Sequence, residues 1–216
     1  MKISVLSRQS GVPVATIKFY LREQLLPPGT PTARNQAEYD EEHLIRLKLI
    51  RVLTGIGMMS IASVREVLAA IDDNFLSPRA VAKVVTKALL TEYPSDDSEP
   101  GALEAARSRI DEFVRDVGWR VDPDAPARAT LAQVFVALRY LGWNGDIDAF
   151  ALYASAADAL ARRELDESPQ ENTASAVART VLYEVAFAAM RRMAYEHYLA
   201  LRAAGAGAPE QAPPVD

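Results

Sequence analysis

Helix-ending and helix-starting residues are so closely spaced in the first 72 positions that no helix longer than about four turns fits between them. Gly11, the run Leu25-Leu26-Pro27-Pro28-Gly29, the pair Gly55 and Gly57, and Asp72-Asp73-Asn74 punctuate this stretch. Ile3 begins a brief extended step, and Ser4 can cap a short helix through Ser10 that Gly11 ends. Pro13 falls in the first turn of a second helix running to about Gln24, which the Leu-Leu-Pro-Pro-Gly run stops. Residues 29–39 lack helical periodicity and read as a hairpin or loop. Asp40 can cap a third helix, with Glu41 and Glu42 where the helix dipole favours acid. Its apolar stripe is Leu44, Leu47, Ile50 and Leu53, and Gly55 and Gly57 are expected to break it. Ser60 caps a fourth helix with Ile61, Val64, Leu68 and Ile71 on one face.

The rest of the chain has longer helical signals. Pro78 opens a helix expected to reach Tyr93, where Pro94 stops it. Residues 94–101 are polar and linker-like. Helices follow at 102–117, 127–141 and 146–164, with breaks at 122–126 and 142–145. A long pattern then runs from about Pro169 to Ala204. Tyr183, Phe187, Met190, Ala194, Tyr198 and Leu201 repeat along it at spacings of three and four. Residues 205–216 are rich in Gly, Ala and Pro and read as a disordered tail.

Composition removes several function classes. The chain has no cysteine, so disulfides, thiolate metal sites and cysteine nucleophiles are excluded. No Gly-rich phosphate loop, metal-ligand cluster or Ser/His/Asp arrangement appears, so no enzyme, cofactor or metal is expected. Asp146 and Asp148 are two apart and do not share a helix face; Asp146 reads better as a helix cap. No apolar run is long enough for a signal peptide or membrane span, which points to a cytoplasmic protein. The net charge of −5 divides unevenly: residues 1–72 carry +2 and residues 73–216 carry −7. A basic head on an acidic body is compatible with nucleic-acid binding.

Four motifs in order narrow the reading. Lys2-Ile3-Ser4-Val5-Leu6-Ser7-Arg8-Gln9-Ser10-Gly11-Val12 resembles the first helix and turn of the MerR family of regulators. Thr16-Ile17-Lys18-Phe19-Tyr20-Leu21-Arg22-Glu23-Gln24-Leu25-Leu26 resembles its second helix and exit. Tyr39-Asp40-Glu41-Glu42-His43-Leu44 is similar to the end of the wing and the start of the third helix. Ile56-Gly57-Met58-Met59-Ser60-Ile61 and Val64-Arg65-Glu66-Val67-Leu68 resemble the turn before the fourth helix and the helix itself. The match covers about a third of the chain.

The resemblance implies a mainly α protein: a winged helix-turn-helix domain over 1–73 with a small β-hairpin wing, then an all-helical dimerisation and effector region over 74–204. It implies a homodimer on a two-fold-symmetric site in double-stranded DNA, with RNA polymerase as a partner at the promoter and a small organic effector as a possible ligand. Val14, Ala15, Thr16, Lys18 and Arg22 fall on the outer face of the second helix. Lys18 and Arg22, four apart, share a side. Taken by charge alone they are a solvated face; the ordered motifs favour DNA contact. Phe19 and Tyr20 complete the helix's share of the interface, Tyr20 through its hydroxyl. In the wing the expected contacts are Arg34, Asn35 and Tyr39, and Tyr39 reads equally well as a packed aromatic.

Two departures stand out. Ala15 replaces a larger polar or basic residue, which shifts base reading toward an apolar contact with a thymine methyl. Asn35-Gln36-Ala37 replaces the wing's usual Gly-Tyr-Arg, leaving Arg34 as the nearest arginine. Arg46, Lys48 and Arg51 of the third helix read as a solvated face or as phosphate contacts.

The helix expected at Ser77–Tyr93 is short for a dimerising helix. Tyr183, Phe187, Met190, Tyr198 and Leu201 are therefore the candidates for a dimer contact, with an intramolecular core as the equal alternative. Phe113, Trp119, Phe135, Tyr140, Trp143, Phe150 and Tyr153 can form a core or line a ligand pocket. A second functional reading is a helical small-molecule- or partner-binding protein whose DNA-binding domain no longer reads sequence.

Overall fold

The fold is given by a computed structural model that describes residues 1–33, 36–90, 101–166 and 172–206. It is mainly helical, and its only described strands form one antiparallel hairpin. The first unit runs α1 (Ile3–Ser10), α2 (Val14–Arg22), β1 (Thr30–Ala33), β2 (Gln36–Glu38), α3 (Glu41–Arg51) and α4 (Ile61–Asp72). Then come α5 (Pro78–Leu89), α6 (Ala102–Asp116), α7 (Pro126–Tyr140), α8 (Ala151–Asp166) and α9 (Thr173–Ala206). The linker at 94–100 and most of the Gly/Ala/Pro-rich tail lie outside the described residues.

Local chemistry explains where the first elements begin. Asp40 caps α3: its carboxylate accepts from the His43 amide at 3.1 Å. Ser60 caps α4 by accepting from the Ser63 amide at 3.0 Å. Ser4 is not a cap. The chain is already helical at Ile3, and Lys2 occupies the cap position with no side-chain bond. The extended step lies one residue earlier, because the Met1 backbone pairs with Tyr39 at the foot of the wing, the Tyr39 amide donating to Met1 O at 2.8 Å. α2 ends at Arg22, short of Gln24, which takes a left-handed φ of 60° in the turn.

Gly55 does not break the third helix. α3 passes into a π-helical turn at Val52–Ile56, in which the Gly57 amide bonds to Val52 O at 2.9 Å. The Thr54 hydroxyl donates to Ile50 O at 2.8 Å across the same stretch. The chain leaves the helix at Gly57. A Cβ there would lie 2.8 Å from Leu53 O and 2.8 Å from a methyl of Val181, so only glycine lets α9 come this close.

Two cores result. The first holds Leu6, Ile17, Leu25, Leu47, Ile50, Leu53, Val64 and Leu68, all at or below 1 % exposure. It continues past residue 73, taking in Val81 and Val85 of α5 and Val177 and Val181 of α9. The second is built by Ile110, Phe113 and Val114 of α6, Ala132 and Phe135 of α7, Ile147 and Ala154. Side-chain ion pairs join α5 to the loop before α7: Arg79 to Asp122 at 2.5 Å and Lys83 to Asp124 at 2.5 Å. No described helix is long and apolar enough to cross a membrane.

Candidate nucleic-acid interface

α2 separates an inner from an outer side. Ile17 and Tyr20 are buried in the first core, while Ala15, Lys18 and Arg22 are exposed. At 3.6 residues per turn these three share one face. Val14, Thr16 and Phe19 flank it half-buried, with the Phe19 ring 5.8 Å from that of Tyr20.

The turn before α2 is fixed by small side chains. The Ser7 hydroxyl donates to Val12 O at 2.6 Å, and Ser10 Oγ accepts from the Val12 amide at 3.2 Å. Gly11 takes a left-handed φ of 67°. The Arg51 guanidinium presses so close that a Cβ on Gly11 would lie 2.7 Å from it. Glycine is thus required by conformation and by space.

The wing pairs Thr30 with Glu38 and Pro31 with Ala37, and its register shifts before Ala33 meets Gln36. Arg34 and Asn35, at its tip, lie outside the described residues. Tyr39 is packed: 8 % exposed, its ring edge-on to His43 at 5.2 Å. Asp40 Oδ1 lies 2.6 Å from His43 Nδ1. The hydrogen bond from the His43 side chain, then that from its amide, holds the Asp40 carboxyl below the ordinary aspartate range. Thr32 and Gln36, exposed polar positions of the hairpin, were not among the residues expected from sequence.

The other basic residues of this unit divide into two groups. Arg46 donates to Leu25 O at 2.6 Å and forms a two-pronged pair with Asp72 at 2.7 Å. Arg51 donates to Ser10 O at 2.7 Å, closing the end of α1. Arg65 pairs with Glu23 at 2.7 Å, just past α2. These three hold the interface in shape. Lys18, Arg22 and Lys48 are exposed. The sequence gives no sign of this division, because the partners lie 26, 41 and 42 residues away.

The expected dimer stripe splits along α9. Tyr183, Phe187 and Met190 line an open cleft of about 260 Å³ against Leu160 of α8. Tyr198 and Leu201 project beyond, 63 % and 54 % exposed. Most of the aromatic set suggested for a ligand pocket packs on itself: Phe135, Trp143, Phe150 and Tyr153 form a chain of ring contacts at 5.8–6.2 Å. Phe113 is buried and Trp119 half-buried, donating to Asp158 at 3.2 Å, whereas Tyr140 is exposed.

Comparison with known proteins gives three matches. The family described as MerR HTH family regulatory protein matches residues 1–71. A curated relative, the HTH-type transcriptional regulator ZntR homolog of Haemophilus influenzae, is 44 % identical over 50 residues. That alignment spans 23 % of this chain and 37 % of the relative's length. A solved structure from Streptomyces coelicolor A3(2), provisionally assigned as the transcriptional regulator SCO5550, superposes with a TM-score of 0.72 at 36 % identity. It covers 94 % of this chain and 97 % of its own.

Proposed function

The chain belongs to the MerR family of helix-turn-helix regulatory proteins, and from that membership we propose that it reads a two-fold-symmetric promoter site as a homodimer. The observation that carries this reading is the outer face of α2, where Ala15, Lys18 and Arg22 stand exposed over buried Ile17 and Tyr20. In the major groove Lys18 and Arg22 reach base edges or phosphates, Thr16 adds a hydroxyl, and Val14 and Ala15 offer apolar contact to thymine methyls. Phe19, Tyr20 and Tyr39 set the height of α2 and of the wing over the backbone. Arg34 and Asn35 at the wing tip are the phosphate contacts that the family resemblance implies.

Residues 74–204 act as the dimerisation and effector region in this reading, with Tyr183, Phe187, Met190, Tyr198 and Leu201 of α9 at the dimer contact. Two docked protomers deform the promoter between their half-sites, and RNA polymerase engages the distorted DNA. A small organic effector would bias that deformation. A reading as a ligand- or partner-binding protein that no longer discriminates DNA draws on Ala15 and on the open α8–α9 cleft.

A fluorescence-anisotropy titration separates the two. The probes are DNA from upstream of the protein's own gene and a scrambled control, each across a salt series. A regulator binds the upstream DNA far more tightly, and Lys18→Ala or Arg22→Ala weakens that binding by about 1–3 kcal/mol if the side chain reads a base. Equal, weak binding to both DNAs sinks sequence-specific regulation at that site and favours the alternative.

A further inference from the structure

α9 carries two apolar features that the described chain does not cover. Every side chain from Tyr183 to Ala203 is exposed. Phe187, Met190, Tyr198 and Leu201 lie within about 60° of one line along the helix, while Val185, Tyr195 and Leu199 cluster about 120–200° around from it. A helix apolar on opposite sides is one that packs on both. The first feature is the cleft, where Tyr183, Ala186, Phe187 and Met190 face Leu160 across about 260 Å³. The second is the projecting end. The Arg191 guanidinium sits 5.6 Å over the ring of Tyr153, near the start of α8, so the residues that follow run past α8.

We propose that the cleft between α8 and α9 receives the projecting end of α9 from a second copy of this chain, so that two copies exchange α9 tips across a two-fold axis near residue 193. The inference rests on the homodimer reading above. The cleft centres near residue 187 and the apolar tip near 198, about 16 Å apart along the helix. A two-fold axis at their midpoint lays each tip in the other copy's cleft, the self-complementary arrangement of an isologous dimer. On one flank it brings Glu184 within a turn of Arg202 of the partner subunit, a pairing of opposite charges.

The chain's own remaining segments do not have the side chains for this role. Prolines aside, residues 91–100 contain one large apolar side chain, Tyr93; residues 167–171 contain none; residues 207–216 contain only Val215. A second copy supplies Tyr195, Tyr198, Leu199 and Leu201 together.

The test uses the full chain, whose lack of cysteine makes introduced thiols unique. Leu160 lies beside Phe187 of its own chain, and Leu201 is about 21 Å farther along α9. In the double variant Leu160→Cys/Leu201→Cys a short bismaleimide can therefore join these positions only between chains. The expected result is a covalent dimer from the double variant and little from either single variant. Efficient cross-linking by Leu201→Cys alone means that tips pair with each other and overturns the exchange. So does failure of all three variants to cross-link while sedimentation velocity gives a dimer. A monomer at micromolar concentration instead removes the homodimer reading and the exchange with it.

Leu160→Glu puts a charge in the cleft without touching α9. It weakens dimerisation about tenfold or more with an unchanged circular dichroism spectrum. Unchanged dimer affinity overturns the proposal. Uptake of an apolar dye by the cleft of the intact dimer does so too, and makes a small molecule its occupant.

Discussion

Arg51 carries a positive charge on the DNA-binding unit, yet its guanidinium is turned inward to Ser10 O beside Gly11. Arg51→Ala leaves the last carbonyl of α1 without this partner. The expected loss is about 1 kcal/mol in urea denaturation, the low end for a bond to a charged group because the side chain is exposed. DNA affinity of the folded variant falls less than for Lys18→Ala; a larger fall would make Arg51 a phosphate contact. Asp40 responds to acid. Its carboxyl is held below the ordinary aspartate range by His43. Its contribution to stability is therefore complete above the unfolded value near 3.8 and is lost as pH falls through the lower folded value. Thermal unfolding between pH 6 and 2 should show Asp40→Asn less stable at pH 6, with the difference closing in acid. A constant difference would assign the effect to the cap's geometry alone. Ile17 and Tyr20 on the inner side of α2 were legible from spacing, since helical periodicity is a local signal. The partners of Arg46, Arg51 and Arg65 were not, because they depend on how α1, α3 and α4 meet.

At the level of elements, capping chemistry is the most readable part of the sequence. Asp40 and Ser60 begin helices as their side chains dictate. Glycine was the least readable: Gly55 sits inside a π-helical turn, while Gly57 is fixed by contact with a helix more than a hundred residues away. Gly57→Ala forces a Cβ to 2.8 Å from Leu53 O and from Val181, although the backbone φ of −72° suits any residue. The expected cost is about 1–3 kcal/mol of overpacking, measured by denaturant unfolding, and it should fall on the α9 junction. Hydrogen exchange should quicken at Val177 and Val181 while α2 keeps its protection. A uniform loss would mean that the junction does not respond separately. The split of the α9 stripe was likewise hidden, because spacing gives the stripe but not the point where α8 stops covering it.

Across the whole molecule, separate cores behave differently from one. Between α5 and the second core the described side-chain bonds are the exposed ion pairs Arg79–Asp122 and Lys83–Asp124. Lys83 holds the Asp124 carboxyl below the usual aspartate range, first through its hydrogen bond, so this pair persists into mild acid and is lost as pH falls further. Exposed pairs are worth little and are screened when the Debye length shrinks to about 3 Å in molar salt. High salt is therefore expected to speed hydrogen exchange around 79–83 and 119–125 while Ile110 and Phe135 stay protected. Equal exchange at low and high salt would count against this weak joint.

The contact between Gly57 and Val181 has a further mechanical meaning. α9 extends some 25 residues beyond that point, about 37 Å of stiff rod. A tilt of about 5° at the fulcrum swings its far end by about 3 Å. Because the fulcrum belongs to the unit that grips DNA, a bend in the promoter would be felt at the rod's tip, and pressure at the tip would reach the groove.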